Sequence, residues 1–287
     1  MDIDKIAEFW EKQDGKKVKC VLCPHYCIIG EGQKGKCGAR KNQNGVLIAA
    51  NYGCVTSIAI DPIEKKPLYH FQTGKKIVSI GSFGCNLKCQ FCQNYNISME
   101  YHGLRYDIYT PELIAKVALL AKTDENVGIA YTYNEPLIGY EFVKECSQMI
   151  KTEGLMNVLV TNGYINDEPL EELLPFIDAL NIDIKGNHNR TYEKLGGTQE
   201  PVKNTIKKAV KMSHVEVTTL VIPGENENEV EEIAKWLSEI NPQIPYHLSR
   251  FFPRYKYSES IVTPSETMYK LEKTAEKYLE TVHLGNM

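Results

Sequence analysis

Three cysteines near the middle of the chain have the type and spacing of iron–sulfur ligands. Cys85, Cys89 and Cys92 follow the pattern C-x3-C-x2-C, so one short loop offers three thiolates. A four-iron, four-sulfur cluster held by three cysteines keeps one iron open to another ligand. The spacing indicates S-adenosylmethionine (SAM), bound through its amino and carboxylate groups, as that ligand. The triplet therefore predicts radical chemistry.

Two other sites would use the same three thiolates. One is a zinc ion that borrows a ligand from elsewhere, and the other is a ferredoxin-like electron carrier with a distant fourth cysteine. Phe91 stands directly before Cys92 and could pack against an adenine ring. A short apolar strand precedes the triplet, so the three cysteines should lie in a loop that leaves the carboxyl end of that strand.

A second group of cysteines lies near the amino terminus and has four members. These are Cys20, Cys23, Cys27 and Cys37, in the pattern C-x2-C-x3-C-x9-C. Four thiolates close a tetrahedral site, which structural zinc prefers. Zinc is therefore favoured here over an additional iron–sulfur cluster, while plain reduced thiols remain open as a third alternative. His25 lies within the group and could replace one sulfur.

Polar residues stand at the ends of consecutive predicted strands. Glu135, Asn162 and His247 each follow or end an apolar run. In the run Asn181-Ile-Asp183-Ile-Lys185, alternation places the polar side chains on one face and the isoleucines on the other. One exposed carboxylate is usually a helix cap or a solvated group, but polar residues at four consecutive strands indicate a ligand site.

These residues must be positioned by strands and helices that alternate from about residue 76 onward. Apolar strands are predicted near 77–81, 127–132, 156–161, 178–184, 215–222 and 244–249. Helices are predicted near 111–122, 137–153, 168–175, 201–213, 226–240 and 264–279, and two of them are preceded by Thr110-Pro111 and Thr263-Pro264 as capping signals. Six such units predict an α/β fold, a partial (β/α)6 TIM-like barrel with its ligands at the carboxyl ends of the strands. We expect a cysteine-rich metal-binding subdomain over 1–75 and the barrel over 76–287.

Composition limits the classes of function and the compartment. The chain has 287 residues, of which 43% are hydrophobic and 24% charged, and its net charge is −4. Basic residues alternate with acids, which disfavours a nucleic-acid partner. The first ten residues lack a secretory apolar run, and no later stretch approaches the roughly 20 apolar residues of a membrane span. We expect a cytoplasmic protein without a membrane partner, whose nine cysteines are mainly ligands.

Long runs of this sequence resemble the radical SAM enzymes, and especially the AmmeMemoRadiSam branch, named for its association with AMMECR and Memo proteins. The resemblance covers nearly the whole chain and rests on the first three cysteines near the amino terminus, the triplet loop and the runs 61–71, 131–136, 217–224 and 247–253. The chain is more distantly similar to pyruvate formate-lyase activating enzymes.

The more distant resemblance implies contacts to SAM. Glu135 matches a glutamate in a Gly-Gly-Glu run that contacts the SAM amino group in activating enzymes, while Tyr133 and Asn134 replace the two glycines. Asp183, Lys185 and His247 match the residues that contact the ribose and carboxylate. Asn134 could substitute for a main-chain contact. The activating enzymes carry an acidic residue at the position of Val160. Since Val160 cannot make the contact of that acid, Asn162 is the candidate for it.

The resemblance also implies a reaction. A low-potential electron donor of the ferredoxin or flavodoxin type would reduce the cluster, SAM would be cleaved to methionine and a 5′-deoxyadenosyl radical, and that radical would abstract hydrogen from a substrate. A small-molecule substrate is favoured. An activase that installs a glycyl radical on a protein partner is the alternative, and a non-catalytic iron–sulfur electron carrier is the second alternative. The AmmeMemoRadiSam branch implies AMMECR-like and Memo-like partner proteins.

A final set of polar residues could hold the substrate. They come from the stretch before the first barrel strand, from the cluster loop and from strand ends: Asp61, His70, Tyr95, Tyr133 and Arg250, with Glu64, Lys65 and Tyr69 in the same stretch. Arg250 lies close to His247, and an arginine at a barrel mouth usually needs an anionic partner.

Overall fold

An eight-stranded sheet forms the centre of the molecule in the computed structural model. The structure describes residues 4–100 and 103–287, and it describes the side chains of all of these except residues 123 and 124. The strands are β1 Trp10–Lys12, β2 Val18–Cys20, β3 Ile28–Ile29, β4 Arg40–Gln43, β5 Val46–Ala49, β6 Cys54–Val55, β7 Ser57–Pro62, β8 Lys76–Gly81, β9 Asp107–Ile108, β10 Asn126–Tyr131, β11 Met156–Thr161, β12 Ala179–Asp183, β13 His214–Val221, β14 Tyr246–Arg250 and β15 Val282–Gly285. The helices are α1 Tyr95–Ser98, α2 Pro111–Leu120, α3 Tyr140–Thr152, α4 Asp167–Leu173, α5 Asn189–Lys194, α6 Glu200–Ala209, α7 Val230–Ile240 and α8 Ser265–Ala275.

The order of strands in this sheet is β15-β14-β13-β12-β11-β10-β8-β7. All neighbours are parallel except β7, which pairs antiparallel with β8. The predicted partial (β/α)6 barrel is confirmed, because β8 and β10 to β14 are its six predicted strands. The edge strands β7 and β15 were not predicted, and they extend the sheet on both sides.

Local capping signals explain where helices begin and end. Thr110 accepts a hydrogen bond from the Leu113 backbone N–H at 3.3 Å, so α2 begins as its Thr-Pro signal predicts. The second Thr-Pro signal acts differently. Thr263 donates its hydroxyl to the Val221 carbonyl at 2.7 Å, and α8 begins only after Pro264. Gly154 follows α3 with a φ of +67°, a left-handed conformation that favours glycine.

The segment 63–75 crosses the amino-terminal end of the barrel and joins β7 to β8. Asn181 on β12 donates its side-chain amide to the Pro67 carbonyl at 2.8 Å. Glu216 on β13 accepts hydrogen bonds from the backbone N–H groups of Tyr69, at 3.0 Å, and His70, at 2.8 Å. These side chains fasten the segment across the strands, and we call it the floor segment.

The amino-terminal residues form small sheets that pack on the barrel. Strands β1, β2 and β3 make one antiparallel sheet and β4 and β5 another. Buried residues of this part, such as Leu47, belong to the same hydrophobic cluster as barrel residues such as Tyr140. Strand β7, which lies before the predicted boundary at residue 75, pairs with β8 in the barrel sheet, and the division into 1–75 and 76–287 stays a prediction. Within the described ranges, no helix is long and apolar enough to span a membrane.

Candidate active site

A cavity of about 640 Å³ opens at the carboxyl ends of the barrel strands. The strand ends and the cluster loop bring many of the predicted residues to its wall: Cys85, Cys89, Phe91, Cys92, Tyr133, Asn134, Glu135, Asn162, Asp183, Lys185 and His247. These residues come from five loops or strand ends spread over more than half of the chain, and the parallel sheet brings them together.

The three cysteines stand in the loop that follows β8, as predicted. The Cys85 sulfur accepts hydrogen bonds from the Leu87 backbone N–H at 3.4 Å and from the Asn162 side-chain amide at 3.6 Å. Burial raises the pKa of Cys89 to about 12. Such thiols need strong positive charge, as from iron, to become thiolates, and three soft sulfurs facing one cavity fit a cluster with an open iron. No group of three or more His, Cys, Asp or Glu in the described ranges is arranged around a single metal ion.

Glu135 is buried and already has three hydrogen-bond donors. Its carboxylate accepts from the Leu137 backbone N–H at 2.9 Å, from the Thr161 hydroxyl at 2.7 Å and from the Asn162 backbone N–H at 2.8 Å. Burial raises the pKa of Glu135 to about 7, although these hydrogen bonds act in the opposite direction. The carboxylate therefore ties the end of β10 to the end of β11 and positions Asn162 beside Cys85.

Tyr133 and Asn134 hold the turn that precedes Glu135. Tyr133 has a φ of +71°, a left-handed conformation that a glycine adopts without strain and a tyrosine rarely adopts. Its hydroxyl donates to Asp61 at 2.9 Å, and the Lys66 ammonium lies 4.8 Å from its ring centroid. Asn134 accepts from the Ser82 backbone N–H at 2.9 Å and donates to the Gly84 carbonyl at 3.1 Å. The turn thus keeps a glycine-type backbone while both side chains bind neighbouring segments.

Asp183 and Lys185 form an ion pair at the carboxyl end of β12. The Lys185 ammonium lies 2.8 Å from an Asp183 carboxylate oxygen, and the lysine side chain is 12% exposed against 32% for the aspartate. Burial alone would lower the pKa of Lys185, but the charge of Asp183 and the nearby Cys89 sulfur outweigh it and raise that pKa. The pair offers the cavity one partly exposed carboxylate close to the cluster loop.

His247 lines the cavity, and its Nε2 lies 2.6 Å from a carboxylate oxygen of the fully buried Glu216. His214 approaches the other oxygen of Glu216 at 2.9 Å. Burial alone would raise the pKa of Glu216, but hydrogen bonds from both histidines and two backbone amides hold it well below its ordinary value. Glu216 was not among the residues predicted from the sequence, although a carboxylate between two buried valines of a strand needs hydrogen-bond partners.

The remaining substrate candidates divide into two groups. Glu64, Lys65 and Tyr69 line the cavity, and Asp61 reaches it through Tyr133. His70 instead contacts His283 at 2.8 Å, and Tyr95 stacks on Tyr255. Arg250 donates its Nε–H to the Thr263 carbonyl at 2.7 Å and lies over the Phe252 ring. Neither Tyr95 nor Arg250 lines the cavity, because their partners hold them to the segment that follows β14.

The four amino-terminal cysteines line a separate enclosed space. Cys20 and Cys37 are buried, and Cys23 and Cys27 are half-buried. Arg40 lies against the same space and is 1% exposed. His25, which the sequence offered as a replacement ligand, also lines it, but its Nε2 lies 2.7 Å from the Asn86 carbonyl oxygen in the loop of the cysteine triplet.

Comparisons with known proteins cover the barrel and most of the chain. The sequence pattern of the Radical SAM superfamily matches residues 79–237. An uncharacterized protein of Methanocaldococcus jannaschii is 43% identical over 98% of this chain and 85% of its own length. A pyruvate formate-lyase 1-activating enzyme of Escherichia coli K12 is 27% identical over 49% of this chain and 59% of its own length. The fold is similar to that of Streptococcus suis SuiB bound to SAM, with a TM-score of 0.54 at 12% identity over 70% of this chain and 47% of that chain.

Proposed function

Because this chain belongs to the Radical SAM superfamily, we propose that it cleaves SAM reductively at a [4Fe-4S] cluster on Cys85, Cys89 and Cys92 and abstracts hydrogen from a small-molecule substrate. When bound, the cluster and SAM together supply the 5′-deoxyadenosyl radical. One observation carries the proposal: the cavity that the three cysteines face is also lined by polar side chains from four consecutive strands. An electron carrier has no need of such strand ends, which argues against the second alternative, a non-catalytic iron–sulfur electron carrier.

We assign the chain's own residues the following tasks. Asp183 accepts hydrogen bonds from SAM, and Lys185 orients that carboxylate through their ion pair. Asn162 fixes the Cys85 sulfur, and Glu135 acts mainly by positioning Asn162, since its oxygens already accept three hydrogen bonds. Phe91 offers an aromatic face to adenine, Asn134 supports the turn beneath methionine, and His247 presents a ring whose orientation Glu216 fixes.

The substrate site is proposed at the side of the cavity nearest β7. Tyr133, Asp61 and Lys66 form a connected group there, and Glu64 and Lys65, next to them in the chain, also line the cavity. Tyr69 lines the cavity beside β14, where its ring packs against His247. A charged and hydrogen-bonding wall of this kind suits a polar substrate, and the walls of the barrel exclude water from the radical. A low-potential protein donor supplies the electron, and AMMECR-like and Memo-like proteins remain proposed partners on the sequence resemblance alone.

The decisive experiment is anaerobic SAM cleavage by the reconstituted protein under dithionite. We expect 5′-deoxyadenosine and methionine from the wild type. Replacing any one of Cys85, Cys89 and Cys92 with alanine should abolish both products and the bound triplet cluster, because two thiolates do not retain it. Cys146→Ala is the matched control, since Cys146 is a buried thiol within α3, and it should keep the activity. Cleavage that persists in a triple-alanine protein would refute the proposal.

A second candidate function is activation of a protein partner, which the similarity to the Escherichia coli activating enzyme favours. Adding the low-mass filtrate of a cell extract should stimulate 5′-deoxyadenosine formation if the substrate is a small molecule. Stimulation only by the retained macromolecules, together with a glycyl-radical signal in electron paramagnetic resonance (EPR), would instead support the activase.

A further inference from the structure

Arg40 lines the space between the four amino-terminal cysteines, and two of its three guanidinium nitrogens lack hydrogen-bond partners in the described residues. One Arg40 nitrogen, Nη1, pairs with Glu141 at 2.6 Å, while Nε and Nη2 find no hydrogen-bond partner in the described residues. A buried donor without a partner costs about 1–3 kcal/mol. Arg40 lines the same space as Cys20, Cys23, Cys27 and Cys37. Sulfur acceptors of a bound metal centre would satisfy both free donors.

The two cysteine groups also meet through their backbones. A Cβ on Gly84 would lie 2.5 Å from the Cys37 carbonyl oxygen, so only a glycine lets the two loops approach this closely. On the other side of Cys85, the Asn86 carbonyl oxygen contacts His25 at 2.7 Å. The loop of the amino-terminal group therefore touches the residues on both sides of Cys85. A structural zinc ion would gain nothing from this contact, whereas a redox centre would gain a short route to the catalytic cluster.

The surface over the amino-terminal cysteines is basic. Residues 12–41 carry seven lysines against two acids, and their one arginine, Arg40, is buried, although the whole chain has a net charge of −4. Lys34 and Lys36 are exposed and flank Gly35, and a Cβ on that glycine would lie 3.7 Å from the Cys27 sulfur. We call Lys34, Lys36 and the exposed Lys88 the docking surface. Its charge is complementary to an acidic partner.

We propose that Cys20, Cys23, Cys27 and Cys37 bind a second iron–sulfur cluster, which takes electrons from an acidic low-potential protein of the flavodoxin or ferredoxin class and passes them to the catalytic cluster. This inference rests on the proposed function and replaces the zinc ion favoured by the sequence. The donor is oxidised by losing one electron, which reduces the amino-terminal cluster. The amino-terminal cluster then passes this electron to the cluster on Cys85, Cys89 and Cys92, so the first cluster is reoxidised and the second is reduced. These two transfers make or break no bond.

Metal analysis tests the identity of the centre. In protein carrying Cys85→Ala, Cys89→Ala and Cys92→Ala, we expect about four irons and four sulfides per chain after anaerobic reconstitution, with an EPR signal on reduction. Zinc in their place, or no metal, would overturn the proposal. The same analysis of the wild type needs no mutation. We expect about eight irons per chain, and EPR lines that are broadened by coupling between the two nearby clusters. About four irons in the wild type would contradict the proposal as well.

Electron delivery tests the relay. The pair Lys34→Glu and Lys36→Glu should lower flavodoxin-driven SAM cleavage at least about tenfold at low salt, with a smaller effect in high salt. Cleavage driven by Ti(III) citrate should stay unchanged, because a small reductant needs no docking. The charge-matched control is the pair Lys235→Glu and Lys277→Glu. Lys235 lies in α7, Lys277 follows α8, and both are exposed. Unchanged flavodoxin-driven cleavage in the first pair, or equal loss with both reductants, would refute the relay. Absence of cleavage by the wild type under every reductant would refute the proposed function instead.

Discussion

Asp61 shows how one side chain can link the proposed substrate site to the stability of the fold. Its carboxylate is 12% exposed and accepts hydrogen bonds from Lys66 at 2.8 Å and Tyr133 at 2.9 Å. Burial alone would raise the pKa of Asp61, but the hydrogen bond and charge of Lys66 outweigh it, and the pKa falls to about 2. The ionised carboxylate therefore stabilises the folded protein above the ordinary pKa of an aspartate, and this contribution is lost as the pH falls toward 2.

We expect Asp61→Asn to lower the free energy of unfolding of the apoprotein by about 1–2 kcal/mol at pH 7. The difference in free energy of unfolding between variant and wild type should shrink at pH 3, because this pH lies below the ordinary pKa of an aspartate and the ionised carboxylate then stabilises the wild type less. Urea unfolding at both pH values measures this. Glu259→Gln, at an exposed position, serves as the control and should change little. A deficit of the same size at pH 7 and pH 3 would assign the effect to packing.

Residue types and spacing predicted some of these side chains and could not predict others. The cysteine triplet and the alternation of Asp183 with Lys185 are local patterns, and both sets line the cavity. The left-handed backbone of Tyr133 was not predictable, because tyrosine rarely adopts that conformation and its partner Asp61 is 72 residues away. The position of Arg250 was not predictable either. Its hydrogen-bond acceptor, the Thr263 carbonyl, lies in a later segment that no local sequence pattern connects to Arg250.

At the level of elements, the floor segment depends on one buried carboxylate. Glu216 accepts from the Tyr69 and His70 amides and contacts two histidines. Glu216→Gln keeps the shape but loses the charge and one acceptor position. We expect hydrogen exchange of the amides in 69–70 to speed up at least about tenfold, corresponding to roughly 1.4 kcal/mol of lost protection.

Strand β10, which does not contact this carboxylate through a hydrogen bond, supplies the internal control, and its exchange should be unchanged. Hydrogen–deuterium exchange followed by mass spectrometry resolves both regions. Uniformly faster exchange in β10 and the floor segment would indicate global destabilisation and contradict a local tether.

Periodicity predicted the six inner barrel strands but neither edge strand. The inner strands are mostly buried, and their apolar residues form short runs or a clear alternation with polar ones. In β7 the two isoleucines, Ile58 and Ile60, are 43% and 45% exposed, so their alternation does not mark a core-facing side. Strand β15 has only four residues, all half-buried. Edge strands lack the strong apolar signal because only one neighbour covers them.

On the scale of the whole molecule, the amino-terminal part and the barrel share one core and one fully buried ion pair. Arg40 on β4 contacts Glu141 on α3, and these side chains are 1% and 0% exposed. Removing one partner of a buried pair leaves an uncompensated charge and costs about 3–5 kcal/mol. The pair therefore fastens the cysteine-rich part to the barrel.

We expect Glu141→Leu to lower the free energy of unfolding of the apoprotein by about 3–5 kcal/mol, measured with urea. The double variant Arg40→Met/Glu141→Leu should recover most of this loss, because no unpaired charge remains in the core. A double variant as unstable as the single one would show that Arg40 stabilises the fold without its partner.

The distance in sequence between Arg40 and Glu141 also bears on how the protein is made. The two residues are 101 positions apart. At roughly 5–20 residues per second, a ribosome needs about 5–20 s to add that length of chain. During this interval the amino-terminal cysteines have been synthesised, but helix α3, against which their subdomain is buried, has not. Loading of the proposed amino-terminal centre can thus precede closure of the core, whereas the loop of the cysteine triplet, whose partner Asn162 is synthesised later still, must wait for the barrel.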